Sequence, residues 1–214
     1  VEYPVTMMRQ TSVNETVKMD FVNGIRSIMR QDPDVILVGE VRDKDTAEMA
    51  FRAAMTGHQV FTTLHTNSAL GTFPRLLDIG ISTEIMAGNI IGVIAQRLVR
   101  VLCPHCKEAY APSKEECQLL GMGTQCVTTI YRAVGCKLCH HKGYRGRMAL
   151  MELLFMDGDL DDLVARHATL RELREAALTK GFKPLAEDGI RRVMEGRTSL
   201  AEVSRVVDLT GRLR

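Results

Sequence analysis

Val35-Ile36-Leu37-Val38-Gly39-Glu40-Val41-Arg42-Asp43 opens with four apolar residues, three of them β-branched, and closes on charged ones. A short apolar run of this kind suits a strand buried on both faces of a parallel sheet, with Glu40 at its C-terminal edge. Upstream, Val17, Phe21, Ile25, Ile28 and Met29 recur at helical spacing over 16–31, and Pro33 stops that helix. Downstream, Asp45 with Glu48 three residues later predicts a capped helix, with Gly57 just past its end. Val60-Phe61-Thr62-Thr63-Leu64 reads as a second strand. Two further helices are expected over 70–78 and 83–98, joined by Gly80. Strand and helix alternate, which predicts a layered α/β domain.

Composition sets the outer bounds. The 214 residues carry 28 Lys and Arg against 26 Asp and Glu, a formal charge of +2, and 45% are hydrophobic. That apolar content is enough to offset the entropy of ordering a chain, so disorder and low-complexity polymers are excluded. A near-neutral balance argues against nucleic acid as the main partner, because such affinity comes largely from neutralised phosphates. The most apolar runs, Val35–Val38, 90–95 and 150–156, fall far short of the roughly 18 residues of a membrane span. The chain opens on Val1-Glu2-Tyr3-Pro4 with no initiator Met, so a missing upstream segment is expected, and no basic stretch followed by an apolar core opens this piece.

Four of the six cysteines form two pairs, Cys103-Pro-His-Cys106 and Cys136-Lys-Leu-Cys139, 29 residues apart. Three disulfides are arithmetically possible, but a chain of this length has no need of staples. Paired C-x-x-C turns aim their sulfurs at one point, the arrangement of a tetrahedral structural zinc site with no open position for catalysis. Cys117 and Cys126 are left over. His105, His140 and His141 flank the pairs, but four thiolates already complete the shell. From 102 to 147 the chain is rich in Cys, Pro and Gly with little helical periodicity, as expected of a small metal-organised subdomain. From 148 to 214 a mostly helical subdomain is expected. Thr169 with Glu172 and Ser199 with Glu202 match the capping box, and Gly181 and Gly196 suit helix ends.

Polar chemistry gathers in the first hundred residues. Two parallel strands would deliver Glu40 and His65 to the same C-terminal edge, where open α/β sheets bind ligands. An acidic residue ending an apolar strand suits Mg²⁺ or an attacking water, and a histidine there suits a terminal phosphate. His58 opens the second strand, and Arg26, Arg30 and Arg42 offer planar forks for phosphate oxygens. No G-x-x-x-x-G-K-[ST] occurs in the chain, so the loop that cradles phosphates is missing from it.

The stretch 30–43, the stretch Thr56-Gly57-His58-Gln59-Val60-Phe61-Thr62-Thr63-Leu64-His65-Thr66-Asn67, and Gln96-Arg97-Leu98-Val99-Arg100 before the first cysteine pair resemble, in order, three motifs of the secretion ATPases. These motors drive type II secretion and type IV pilus assembly. The resemblance implies the C-terminal half of a RecA-like P-loop NTPase domain over 1–101, a four-cysteine zinc subdomain over 102–147 and a helical C-terminal subdomain over 148–214. Glu40 then matches the Walker B glutamate beside Mg²⁺, His65 the His-box residue that senses the γ-phosphate, and His58 the residue that opens that box. Arg26, Arg30 and Arg42 match arginine positions of the family, and Glu2-Tyr3-Pro4-Val5-Thr6 is similar to its acidic box. Glu2 there corresponds to the general base, while Tyr3 and Thr6 replace acids.

The same resemblance implies that the phosphate loop lies upstream of Val1 and that this piece alone turns over little ATP. It implies ATP and magnesium as ligands and a homo-hexamer when full length. Inner-membrane platform and assembly proteins would be its partners at the cytoplasmic face of that membrane. Pilus retraction motors of the superfamily generally lack the four cysteines, which favours assembly or secretion without choosing between them. The competing reading is a non-catalytic zinc-ribbon interaction module for nucleic acid, with Lys107, Lys137, Lys142, Arg145 and Arg147 as charge and Tyr131 and Tyr144 as stacking rings. It leaves Glu40 and His65 unexplained.

Overall fold

A computed structural model describes residues 4–123 and 126–210. The expected helix over 16–31 is shorter and broken. Lys18 takes a positive φ of 58°. Asp20 then accepts a hydrogen bond from the Asn23 amide at 2.7 Å, so the helix proper, α1, begins at its cap and runs Phe21–Ile28. β1 (Val35–Val38) follows, then α2 (Lys44–Met55) and β2 (Gln59–Thr62). The cap of α2 is Asp43, whose carboxylate accepts from the Thr46 amide at 2.8 Å, and the expected cap Asp45 lies in the first turn. There its charge still complements the helix dipole. Gly57, at φ 96°, ends the element.

β1 and β2 pair in parallel, Val35 opposite Gln59 through Val38 opposite Thr62. Ile36 and Val38 pack on Ile25, Met49, Ala50 and Ala53 from α1 and α2. Val35 and Leu37 are 54% and 69% exposed, so β1 is buried on one face rather than the expected two. Its side chains alternate because the two helices cover a single side of the pair. Each fully buried side chain of this size contributes about 1.5–3 kcal/mol.

α3 (Thr72–Ile79) ends at Gly80, φ 103°, and α4 (Thr83–Met86) is only four residues long. The helix expected over 83–98 therefore stops early, and β3 (Gly92–Leu102) occupies its second half. Gly88 turns at φ 74°, and the β-branched residues Ile90, Ile91, Val93 and Ile94 favour an extended chain. Beyond it lie β4 (Glu108–Tyr110), α5 (Lys114–Leu119) and β5 (Ile130–Arg132), with β4 and β5 antiparallel. α5 carries a full capping box, Ser113 with Glu116, inside a segment expected to lack helix. Cys117 and Cys126 form a disulfide, a staple not expected of a chain this long. Gly121 and Gly123, both at positive φ, turn the chain after α5 on its way back to Cys117.

β6 (Tyr144–Phe155) pairs with β3, so the expected helical segment after 148 begins with strand. α6 (Gly158–Ala165), α7 (Leu170–Thr179), α8 (Leu185–Met194) and α9 (Leu200–Val206) complete the chain. None of the described helices is long and apolar enough to cross a membrane. The chain forms two compact units, Val1–Val93 with Phe155–Ala177 and Ile94–Leu154 with Leu178–Arg214. In the first, the Gly88 amide donates to Asp161 at 2.9 Å and Thr83 Oγ1 bonds His167 Nε2 at 3.2 Å, fastening α6 and the turn after it to α4.

In the second unit, Glu202 is 1% exposed. It accepts from the Arg100 backbone amide at 3.0 Å, from the Arg100 guanidinium at 2.6 Å and from Arg205 at 2.8 Å. Ser199 bonds the Glu202 amide, but the carboxylate is spent on the arginines, so the expected capping box is only half formed. Burial alone would raise its pKa. The bonds from Arg205 and Arg100 outweigh burial and hold it down at about 2. A depressed carboxyl stabilises the fold above its ordinary value of 4.5 and loses that contribution as pH falls towards about 2. Glu202→Gln is expected to cost about 3 kcal/mol, because two guanidiniums lose their counter-charge. Urea melts of both proteins from pH 7 to pH 3 check this, and the gap between them should narrow on the acid side.

Candidate functional site

The parallel register fixes which residues meet at the C-terminal edge of β1 and β2. The Val41 amide donates to the Thr63 carbonyl at 3.0 Å, and Thr63 Oγ1 donates to the Gly39 carbonyl at 2.7 Å. These two bonds bracket Glu40. Its carboxylate contacts Arg42 Nη2 at 2.6 Å through one oxygen and His65 Nε2 at 3.4 Å through the other. Arg42 and His65 are 70% and 80% exposed, whereas Glu40 is only 25% exposed. The Arg42 guanidinium, followed by the His65 ring and acting against partial desolvation, holds the Glu40 carboxyl below its ordinary value. The edge thus presents an ionised carboxylate flanked by a fork donor and an imidazole, a set able to bind a cation or orient water beside an anionic ligand.

His58 sits at the opposite end of β2, where Nδ1 bonds Thr56 Oγ1 at 3.1 Å and the Ala53 carbonyl at 3.0 Å. One four-residue strand, at about 3.3 Å per residue, separates it from the Glu40 edge. Arg26 bonds Asn23 Oδ1 at 3.3 Å on α1, and Arg30 follows on a short 3₁₀ turn. Among the described residues, no ion pair links either arginine to Glu40. Glu2 lies outside the described residues. Thr63, which the motif reading passed over, is the cross-strand brace, and its hydroxyl at a strand end was the available signal.

Cys103, Cys106, Cys136 and Cys139 converge, their sulfurs all within 4.8 Å of one another. Cys139 Sγ lies 3.7 Å from Cys106 Sγ and 3.8 Å from Cys136 Sγ. A zinc tetrahedron with sulfur ligands at about 2.3 Å has edges of about 3.8 Å, so the donor set fits. The amides of Cys136 and Gly143 both donate to Cys139 Sγ at 3.2 Å. The first of these bonds is the main reason the Cys139 thiol is drawn down to about 6. Burial, reinforced by the neighbouring thiols, pushes Cys106 up to about 12. Four thiols this close cannot all ionise unaided, and a divalent cation would release them to do so. Gly135 and Gly143, both at positive φ, hold the second turn where a Cβ would meet His141 O at 2.7 Å and the Ala133 Cβ at 2.6 Å.

A family profile described as Type II/IV secretion system protein matches residues 1–205, and the chain belongs to that family. It is 47% identical to the Type II secretion system protein E of Pseudomonas aeruginosa, over 96% of this chain and 41% of the relative. It is 44% identical to the Type IV pilus assembly ATPase TfpB of Acinetobacter baylyi, over 98% of this chain and 37% of the relative. The chain thus spans about two fifths of the length of these curated relatives. Among solved structures, the pilus retraction motor PilT with bound ADP aligns with a TM-score of 0.61 at 25% identity, over 88% of this chain and 44% of that one. The ATPase DotB of Legionella pneumophila aligns at 0.60 and 22% identity, covering 89% and 43%, which bears on fold alone.

Two outcomes follow from this geometry. Elemental analysis of the chain is expected to return about one divalent metal per molecule, and Cys139→Ser to release it and disorder the segment around 103–147 while the β1–β2 unit keeps its far-UV signal. Arg42→Ala is expected to raise the Glu40 carboxyl towards its ordinary value, as read by ¹³C chemical shifts across a pH series. The stability that this pair supplies above that value then disappears.

Proposed function

We propose that the chain forms the C-terminal part of a RecA-like P-loop ATPase core with a structural zinc subdomain and a helical C-terminal subdomain. In this reading the whole protein is a motor that couples ATP hydrolysis to assembly of a type IV pilus or a type II secretion pseudopilus. The observation that carries it is the contact of Glu40 with both Arg42 and His65 at the C-terminal edge of a parallel pair, where open α/β sheets take their ligands. Glu40 keeps an ionised carboxylate for the magnesium side of the nucleotide, and His65 reads the terminal phosphate. Arg26, Arg30 and Arg42 supply further cationic contacts to nucleotide, His58 secures the turn that launches β2, and Glu2 is the base for the attacking water. Magnesium, when bound with ATP, offsets charge developing on the transferred phosphoryl group. The four cysteines would hold zinc for structure alone.

The whole motor is read as a homo-hexamer, peripheral to the cytoplasmic face of the inner membrane and working against platform and assembly proteins. The names of the curated relatives, a type II secretion protein and a type IV pilus assembly ATPase, support work with a secretion or pilus machine. In the full-length protein, Glu40→Gln is expected to lower kcat about 10²- to 10³-fold with little change in KM, the magnitude of removing one group that acts in the transition state. Residues 1–214 alone, lacking G-x-x-x-x-G-K-[ST], are expected to release phosphate no faster than background. Turnover by this piece at ordinary motor rates would sink the reading.

A further inference from the structure

The second unit contains an open cleft of about 490 Å³ beside the four-cysteine centre. Arg100, Lys142, Arg145 and Arg147 line it, and no carboxylate does. Arg100 is already engaged by Glu202 and lies 4.1 Å above the Tyr144 ring. Among the described residues, Lys142, Arg145 and Arg147 make no ion pair, although exposed arginines elsewhere in the chain, such as Arg132, Arg171 and Arg191, do. Gly146 separates the two arginines at φ 79°, a backbone conformation that an L side chain rarely adopts, and a Cβ there would meet nothing within 4 Å. The glycine leaves bare backbone between two cations.

The surroundings reinforce the charge. The unit Ile94–Leu154 with Leu178–Arg214 holds 17 Lys and Arg against nine Asp and Glu, while the other unit holds 11 against 17. The overall +2 therefore hides a strongly basic half. Even against the two negative charges of a divalent ion on four thiolates, the three unpaired cations leave an excess.

We propose that this cleft docks an extended, acidic segment of a partner protein, whose carboxylates pair with Arg145, Arg147 and Lys142. Guanidinium forks match carboxylates two bonds at a time. The volume far exceeds the needs of a single ion, at roughly 30 Å³ per water. Leu138, 58% exposed, also lines the cleft and offers apolar contact. Nucleic acid fits less well, because both rings that would stack bases are covered: Arg100 lies over Tyr144, and Lys107 lies 4.4 Å above Tyr131. A flat bilayer reaches protruding cations better than cations lining a concavity. The proposal stands apart from the motor reading, and either can fail alone.

The test uses the metal-loaded chain and a labelled octapeptide alternating Glu or Asp with Leu, titrated by fluorescence anisotropy at two salt concentrations. Saturable binding is expected that weakens at least about tenfold from low to high salt and about tenfold again in Arg145→Glu/Arg147→Glu. Arg145→Gln/Arg147→Gln serves if the reversal variant loses its metal or its circular dichroism. Arg174→Glu, an exposed arginine of the other unit, is expected to leave binding unchanged. Binding that survives both double variants overturns the proposal. So does a stronger, Arg145- and Arg147-dependent response to anionic vesicles, to a single-stranded oligonucleotide or to inorganic phosphate.

Discussion

The parallel pairing of β1 with β2 is the constraint behind the candidate site. Because both strands run the same way, their C-terminal ends share one edge, and residues just past those ends become neighbours despite a separation of 25 positions between Glu40 and His65. The crossover that parallel pairing requires is supplied by α2. That helix buries Met49, Ala50 and Ala53 against Ile36 and Val38, so the packing that pays for the crossover also sets the register. A slip of one residue would turn Ile36 and Val38 outward and break both bonds through Thr63.

The second unit is organised by charge. Glu202 is a buried carboxylate serving two guanidiniums and one amide, and it ties the end of β3 to α9. The four thiols present the reverse problem, since like charges there need a cation before they can coexist. Neither centre works through exposed ion pairs, which are individually weak. Where α8 crosses β6 and α9, Gly189 permits an approach at which a Cβ would meet Val203 at 2.6 Å. A small residue there is a packing requirement rather than a sign of flexibility.

Glu40 and His65 were legible because their spacing relative to two apolar runs survives any detail of packing. The four cysteines were legible for the same reason: a C-x-x-C turn carries its own geometry. The Cys117–Cys126 disulfide was not, because nothing local tells two leftover thiols that a turn after α5 will bring their Cα atoms to 5.8 Å. The end of α4 was misjudged because Ile85, Met86, Ile90, Val93 and Ile94 fit a helical pattern as well as a strand pattern. Pairing with β6, a segment some fifty residues downstream, settled it as β3. His58 precedes β2, as its place before the second apolar run implies, and its ring bonds the end of α2 there.

By itself, then, the chain's sequence determined its α/β class, the strand ends that carry Glu40 and His65, and the paired thiols. Each of these follows from local periodicity or short-range spacing, which act before the chain closes on itself. Tertiary structure alone decided that one face of β1 stays exposed, that Glu202 leaves its capping box for Arg100 and Arg205, and that Lys142, Arg145 and Arg147 share one cleft without an acid. Those outcomes rest on contacts between segments far apart in the chain, where burial and long-range hydrogen bonding overrule local preference.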